Sequence, residues 1–240
     1  MKPSRIALLS VVGVVVGAIL VAAVAARITL LGGGSARLET GAESGNRSTV
    51  SRELSGFDEI EIEGAWSVDV TRGGDWQVDL SSPENERDSM DVSVRGERLV
   101  LAVKEPGSFF GGSGNVFSAE VVMPVLVELN AAGSSQIALS GFEGEHLSIE
   151  AAGATRISGE NGRYDELDLS IAGAGDVDLV GFAFIDADIH VAGASSVTLT
   201  MDGGELTGEV AGASAIRYFG TVSREDVDVA GFSIVEPARL

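Results

Sequence analysis

The sequence contains no cysteine, almost no lysine and few aromatic residues. Without cysteine there are no disulfides, thiolate nucleophiles, iron–sulfur clusters or Cys-type zinc sites. A lipid anchor on an N-terminal cysteine is excluded on the same ground. Lys2 and Lys104 are the two lysines, and the formal net charge is -20 with a pI of about 4.3. A polyanionic partner such as nucleic acid would be repelled. Aromatic residues make up 5% of the chain, so small and β-branched side chains must build the core. That composition suits stacked sheets better than a helical bundle.

What the chain does have begins with an uncharged run from Ile6 to Ala26, preceded by Lys2 and Arg5. A membrane-spanning helix needs about 20 apolar residues. Basic residues on its N-terminal side keep that end in the cytoplasm. The expectation is a cytoplasmic tail over 1–5, a single-pass signal anchor over 6–26 and an extracytoplasmic remainder. A cleaved signal peptide is the alternative, with Ala23-Val24-Ala25 as a small-x-small site and a secreted product. Length favours the anchor, because signal-peptide cores run to about 7–15 residues. Residues 27–56 read as a flexible linker rich in Gly, Ser and charge. Asn46-Arg47-Ser48 matches a glycosylation sequon, a weak signal.

Glycine is abundant, with 32 copies, and six of them are periodic. Gly133, Gly153, Gly173, Gly193, Gly212 and Gly231 are separated by 20, 20, 20, 19 and 19 residues. A fixed period of this length means a stacked repeat. Four residues before each glycine stand Leu129, Ile149, Leu169, Ile189, Gly208 and Val227. Two before stand Ala131, Ala151, Ile171, Val191, Val210 and Val229. Four after stand Ile137, Ile157, Val177, Val197, Ile216 and Val235. Polar residues alternate with these columns, so each copy holds two short strands with one inward face. The glycine marks the bend between them, where a missing Cβ or a positive φ is required. Two residues on lies a hydroxyl column, Ser135, Thr155, Ser195, Ser214 and Ser233, interrupted by Gly175.

One ~20-residue coil cannot bury its own apolar face, so neighbouring copies must cover it. The expected fold is an all-β parallel β-helix of ~20-residue coils over residues 57–240. Six coils at ~4.8 Å would make a rod of about 29 Å. Propeller blades need about 40 residues, and the leucine-rich pattern is missing. Before the regular repeat, strands are expected at Ile60/Ile62, Val68/Val70, Val78/Leu80, Met90 to Val94 and Leu99 to Val103. The insert Glu105 to Phe117 breaks the pattern.

The run FDEIEIEGAWSVDV from Phe57, the Gly-Gly-Asp turn after it, the segment Met123 to Ser135 and the serial Ala-Gly-Ala-Ser units resemble the head GIN domain family. The closing Arg217 to Gly220 fits as well. The resemblance covers about 57 to 235 and is spread over the whole of that stretch. Members are described as head domains of autotransporter adhesins. The resemblance implies a right-handed parallel β-helix, surface exposure and no catalytic residues. The sequence holds no Gly-Ile-Asn tripeptide and no translocator barrel after the repeats; a single anchoring helix is expected in its place.

Candidate chemistry is sparse. His146 and His190 are expected on the surface, with no His pair at metal spacing. No nucleophile elbow or phosphate loop occurs. Asp168, Asp188 and Asp226 share a column, with Asp176 and Asp178 on the next strand. Stacked carboxylates could ligate Ca²⁺, which takes 6–8 oxygens, but no calcium-repeat loop accompanies them, and a solvated acidic face is favoured. A polysaccharide-cleaving enzyme would need carboxylates converging in a groove, whereas these are spread along the repeat. Neither a cofactor nor catalysis is expected. Phe109, Phe110 and Phe117, among glycines, are candidates for a contact loop or for an end cap of the stack. The leading expectation is an adhesin or envelope-binding module, taking a glycan or a protein. The alternative is a sensory or scaffolding ectodomain that partners other membrane proteins.

Overall fold

A computed structural model describes residues 47–104 and 117–238. The expected span at 6–26 lies outside them. Among the described residues no helix is long and apolar enough to cross a membrane.

The described chain is all β apart from one 3₁₀ segment. Its first strands are β1 (Arg47–Arg52), β2 (Glu59–Gly64), β3 (Trp66–Arg72) and β4 (Gln77–Pro83). The 3₁₀ segment (Glu84–Ser89) leads to β5 (Met90–Arg95), β6 (Arg98–Val103) and β7 (Phe117–Met123). The periodic region holds β8 (Glu128–Gly133), β9 (Gln136–Ser140), β10 (Glu143–Gly153), β11 (Arg156–Glu160) and β12 (Gly162–Gly173). It continues through β13 (Asp176–Gly193), β14 (Ser196–Asp202), β15 (Glu205–Gly212), β16 (Ala215–Thr221), β17 (Arg224–Gly231) and β18 (Ile234–Pro237).

Two parallel ladders wind around one core. The first stacks β8, β10, β12, the end of β13, β15 and β17. The second stacks β9, β11, the start of β13, β14, β16 and β18. The columns read from the sequence are the observed registers. Leu129, Ile149, Leu169, Ile189, Gly208 and Val227 are successive partners on the first ladder. Ile137, Ile157, Val177, Val197, Ile216 and Val235 are successive partners on the second. Alternation sends every second side chain inward, and Leu147, Ile149, Leu169, Ile189 and Val197 are fully buried there.

The change of period from 20 to 19 has a local cause. Leu179 pairs with Leu199 but Ala183 with Thr200, so Val180, Gly181 and Phe182 bulge out of the ladder. Two residues are then regained, since Phe184 pairs with Met201 and Ala187 with Leu206. Phe182 lies in the core, as Phe142 does two coils earlier, and stacks between Tyr164 and Phe184 at 6.1 and 6.2 Å. Gly159 and Gly162 leave room for that ring; a Cβ on either would come within 3.0 Å of it.

Chain order and spatial order differ at the N-terminal end. β2 and β3 stack directly on β8 and β9, and β6 and β7 stack on their far side. The coil built from β6 and β7 is therefore outside the one that precedes it in sequence. Antiparallel strands finish this end, β5 on β6, β4 on β7 and β1 on β4. The stretch expected to be linker thus contributes a strand, β1, to the sheet.

Candidate interaction surface

The bend is the most repeated local structure. Gly173 and Gly193 adopt φ of 131° and 133°, where L side chains are strained. A Cβ on Gly193 would also fall under 3.0 Å from the carbonyl oxygen of Gly173. Each glycine carbonyl instead accepts the N–H that follows the next bend, as from Ala174 to Gly153 and Ala194 to Gly173, both at 2.8 Å. Gly64 heads the column, accepting from Ser134 at 2.9 Å.

The hydroxyl column lies inside this bend and knits coils together. Ser195 Oγ accepts the Gly175 N–H at 3.1 Å and donates to the Gly173 carbonyl at 3.2 Å. Ser214 does the same with the Ser195 N–H at 3.2 Å and the Gly193 carbonyl at 3.3 Å. Ser135 serves Trp66 and Gly64 in the same way. Thr155 is the exception; its buried Oγ1 has no partner. This column is structural, because Ser135, Thr155, Ser195 and Ser214 are buried; Ser233, in the last coil, is half-buried and accepts the Ser214 N–H at 3.1 Å.

The outward columns of the first ladder carry the polar chemistry. At one end Arg98 reaches Glu59 at 2.8 Å, Glu128 at 2.7 Å and Glu61 at 3.7 Å. Burial works against the Arg98 charge, but the three carboxylates outweigh it and its pKa is raised. Further along, His146 lies 3.5 Å from Glu166 and 3.6 Å from Asp168. His190 lies 3.4 Å from Asp188, which also accepts a hydrogen bond from Thr207 at 3.3 Å. The hydrogen bond between Asp188 and His190 lowers the carboxyl pKa and raises that of the imidazole. Burial pushes the Asp168 carboxyl the other way, upward.

The acidic residues singled out from sequence are only partly gathered. Asp168 and Asp188 are direct ladder neighbours, but Thr207 separates Asp188 from Asp226. Asp226 pairs with Arg224, and Asp176 with Arg156 at 3.1 Å. Asp178 accepts the Val180 N–H at 3.3 Å. Among the described residues no three His, Asp or Glu side chains converge as a metal site. Phe109 and Phe110 lie outside the described residues. Phe117 is not a surface residue: it opens β7, is fully buried and packs against Trp66 at 5.2 Å. Alternation in β7 turns it inward, so it belongs to the core.

Sequence reasoning passed over the exposed apolar residues. Trp76 is 38% exposed, with its Nε1 donating to the Phe57 carbonyl at 2.8 Å. Val229, Ile234 and above all Phe232, which is 93% exposed, crowd the last coil. The sequence carried a signal for the last: Phe232 interrupts a column otherwise made of Ser134, Ala154, Ala174, Ala194 and Ala213.

A parallel β-solenoid with hydrogen-bonded bends and an outward acidic face defines the class of this protein. The family described as "Putative auto-transporter adhesin, head GIN domain" matches residues 56–185, more than half of the chain. The chain belongs to that family. Its fold is similar to the crystal structure of an adhesin, so described with the qualifier "putative", from Bacteroides fragilis. That likeness has TM-score 0.66 at 14% identity and covers 81% of this chain and 98% of the other. A second structure, from Parabacteroides merdae and described in the same words, gives TM-score 0.50 at 15% identity, covering 82% and 98%. At such identities the likeness shows the fold alone. No curated protein matches the sequence.

Proposed function

We propose that this chain is an extracytoplasmic binding module of the adhesin kind, tethered to the membrane by residues 6–26 and without catalysis. The observation that carries the reading is family membership over a solenoid whose polar groups lie spread along outward columns. A hydrolase needs acid and base converging on one bond. Here His146, Asp168 and Asp188 stand on three successive rungs with His190 beside Asp188 on the same strand, a line of side chains along one open sheet face, and Asp168, Asp176, Asp188 and Asp226 already hold a cation or a hydroxyl. The apolar run at 6–26, with Lys2 and Arg5 before it, supports the tether and an outward domain.

The absence of cysteine makes sidedness measurable. The full chain carrying Thr49→Cys is expressed, and spheroplasts are treated with a membrane-impermeant maleimide. The reading predicts labelling before lysis and retention of the labelled chain in carbonate-washed membranes. Labelling only after lysis would overturn the extracytoplasmic placement, and release by carbonate would overturn the tether.

A further inference from the structure

The coil of β17 and β18 is apolar at positions where its neighbours in the stack are polar or small. A repeat whose outer face meets no further coil ordinarily presents polar groups there. Here β17 and β18 each pair on one side among the described residues, leaving a row of backbone groups on the other. Inward-column Val229 is 48% exposed at this edge. The outward columns turn apolar in this coil as well. Phe232 stands where earlier coils carry Ser or Ala, and Ile234 where they carry Gln136, Arg156, Asp176, Ser196 and Ala215. The backbone is regular, since the Phe232 N–H donates to the Gly212 carbonyl at 2.8 Å. The side chain alone departs, and it is 93% exposed. The opposite end of the stack is finished quite differently, by antiparallel β5 on one ladder and β4 and β1 on the other.

We infer that the C-terminal coil is a self-association surface, on which the β17 and β18 edges of a second copy dock antiparallel to those of the first. The opposite end shows that both ladders accept an antiparallel strand on their edges. A two-fold axis normal to the sheets supplies such strands to both ladders at once. It sets Val229, Phe232 and Ile234 of each copy against the same apolar end of the other, the self-complementarity an isologous contact requires. Main-chain pairing supplies affinity and the apolar side chains fix the fit. The coil is short of the roughly 20–30 residues a standard interface takes from each side, so the dimer is weak and reversible. Its affinity is expected on the order of 10–100 μM. The net charge of -20 on each copy opposes association, so added salt strengthens it. A cationic partner would show the opposite salt dependence.

The test uses the full chain in neutral detergent with a single introduced cysteine. Asp228→Cys, near the middle of β17, is compared with Thr49→Cys on β1 at the far end. A short bis-maleimide is expected to give dimers from Asp228→Cys, increasing with protein concentration and with salt. Phe232→Ser in the same background weakens association about tenfold, while its thermal unfolding matches the parent because the side chain is in solvent. Thr49→Cys gives no dimer. Equal crosslinking at both positions, no crosslinking from Asp228→Cys, or dimers that dissolve with salt would each overturn the inference. Dimers held by the N-terminal segment alone would appear at Thr49 and count against it too.

Discussion

The hydroxyl of Ser195 receives the buried N–H of Gly175, one coil earlier, at 3.1 Å. The same oxygen donates onward to the Gly173 carbonyl. Ser195→Ala removes both bonds and leaves that N–H with no acceptor in a closed bend. The expected cost is about 1–3 kcal/mol in urea unfolding. Thr155 occupies the equivalent place, yet its Oγ1 has no partner. Thr155→Val should therefore be neutral or stabilising, because it removes an unsatisfied polar atom of similar shape. If both substitutions cost the same, the ladder assignment is wrong.

Gly193→Ala should be far more damaging than its size suggests. It places a Cβ against the Gly173 carbonyl at a φ of 133°. Backbone strain and overpacking together predict a loss of about 3 kcal/mol or more. Gly74→Ala, where a Cβ would meet nothing within 4 Å, serves as the control and should change stability by less than about 0.5 kcal/mol. Comparable losses at the two sites, read from denaturant midpoints, would contradict the close coil-to-coil approach.

Among the described residues Arg98 is the one cation that meets Glu59, Glu61 and Glu128. Arg98→Met keeps the stem and strands three carboxylates together. With the site partly buried, the expected cost is about 1–2 kcal/mol, between exposed and buried ion pairs. Arg98→Lys, which keeps the charge, should recover part of the loss in urea unfolding. An equal loss for Arg98→Lys and Arg98→Met would point to packing instead.

The Asp188–His190 pair makes stability depend on pH in a defined window. His190 has a raised pKa, so its contribution is full below the unfolded value of 6.5 and is lost as pH rises through the folded one. Asp188 has a lowered pKa, so its contribution is present above 3.8 and is lost as pH falls through the folded value. His190→Asn should thus cost most between those limits, near pH 5, and least in alkali. Partial exposure keeps the effect under about 1 kcal/mol. Asp168 has the opposite sign: its raised pKa penalises the ionised form, so Asp168→Asn should stabilise slightly at neutral pH. Thermal melts from pH 4 to 9 separate the two.

The periodic half of the fold was legible because its causes are local and repeated. The glycine column reports a bend with no space for a Cβ, and Leu129, Ile149, Leu169 and Ile189 report a register that must meet in the core. The N-terminal half was legible strand by strand but not in arrangement. Nothing in the spacing of Ile60/Ile62 and Leu99/Leu101 says that the later strand lies outside the earlier one, since that contact joins distant segments without a period. β1 was hidden because an antiparallel edge strand such as RSTVSR, half in solvent, has the composition of a linker. Phe117 was misplaced because it follows a glycine-rich insert and was grouped with it, while its neighbour in space is Trp66. The polar columns were visible, but which carboxylate meets His190 rather than Arg156 follows from side-chain reach, which spacing does not encode.

The most direct measurement is binding. Residues 47–240, labelled through Thr49→Cys, are titrated onto intact cells and isolated envelope, with and without Ca²⁺. The account predicts saturable binding, competed by unlabelled protein and indifferent to Ca²⁺, because the acidic side chains are held by Arg156, Arg224, His190 and Thr207. Failure to saturate on either material would contradict a binding module, and a strict Ca²⁺ requirement would contradict the reading of the acidic face.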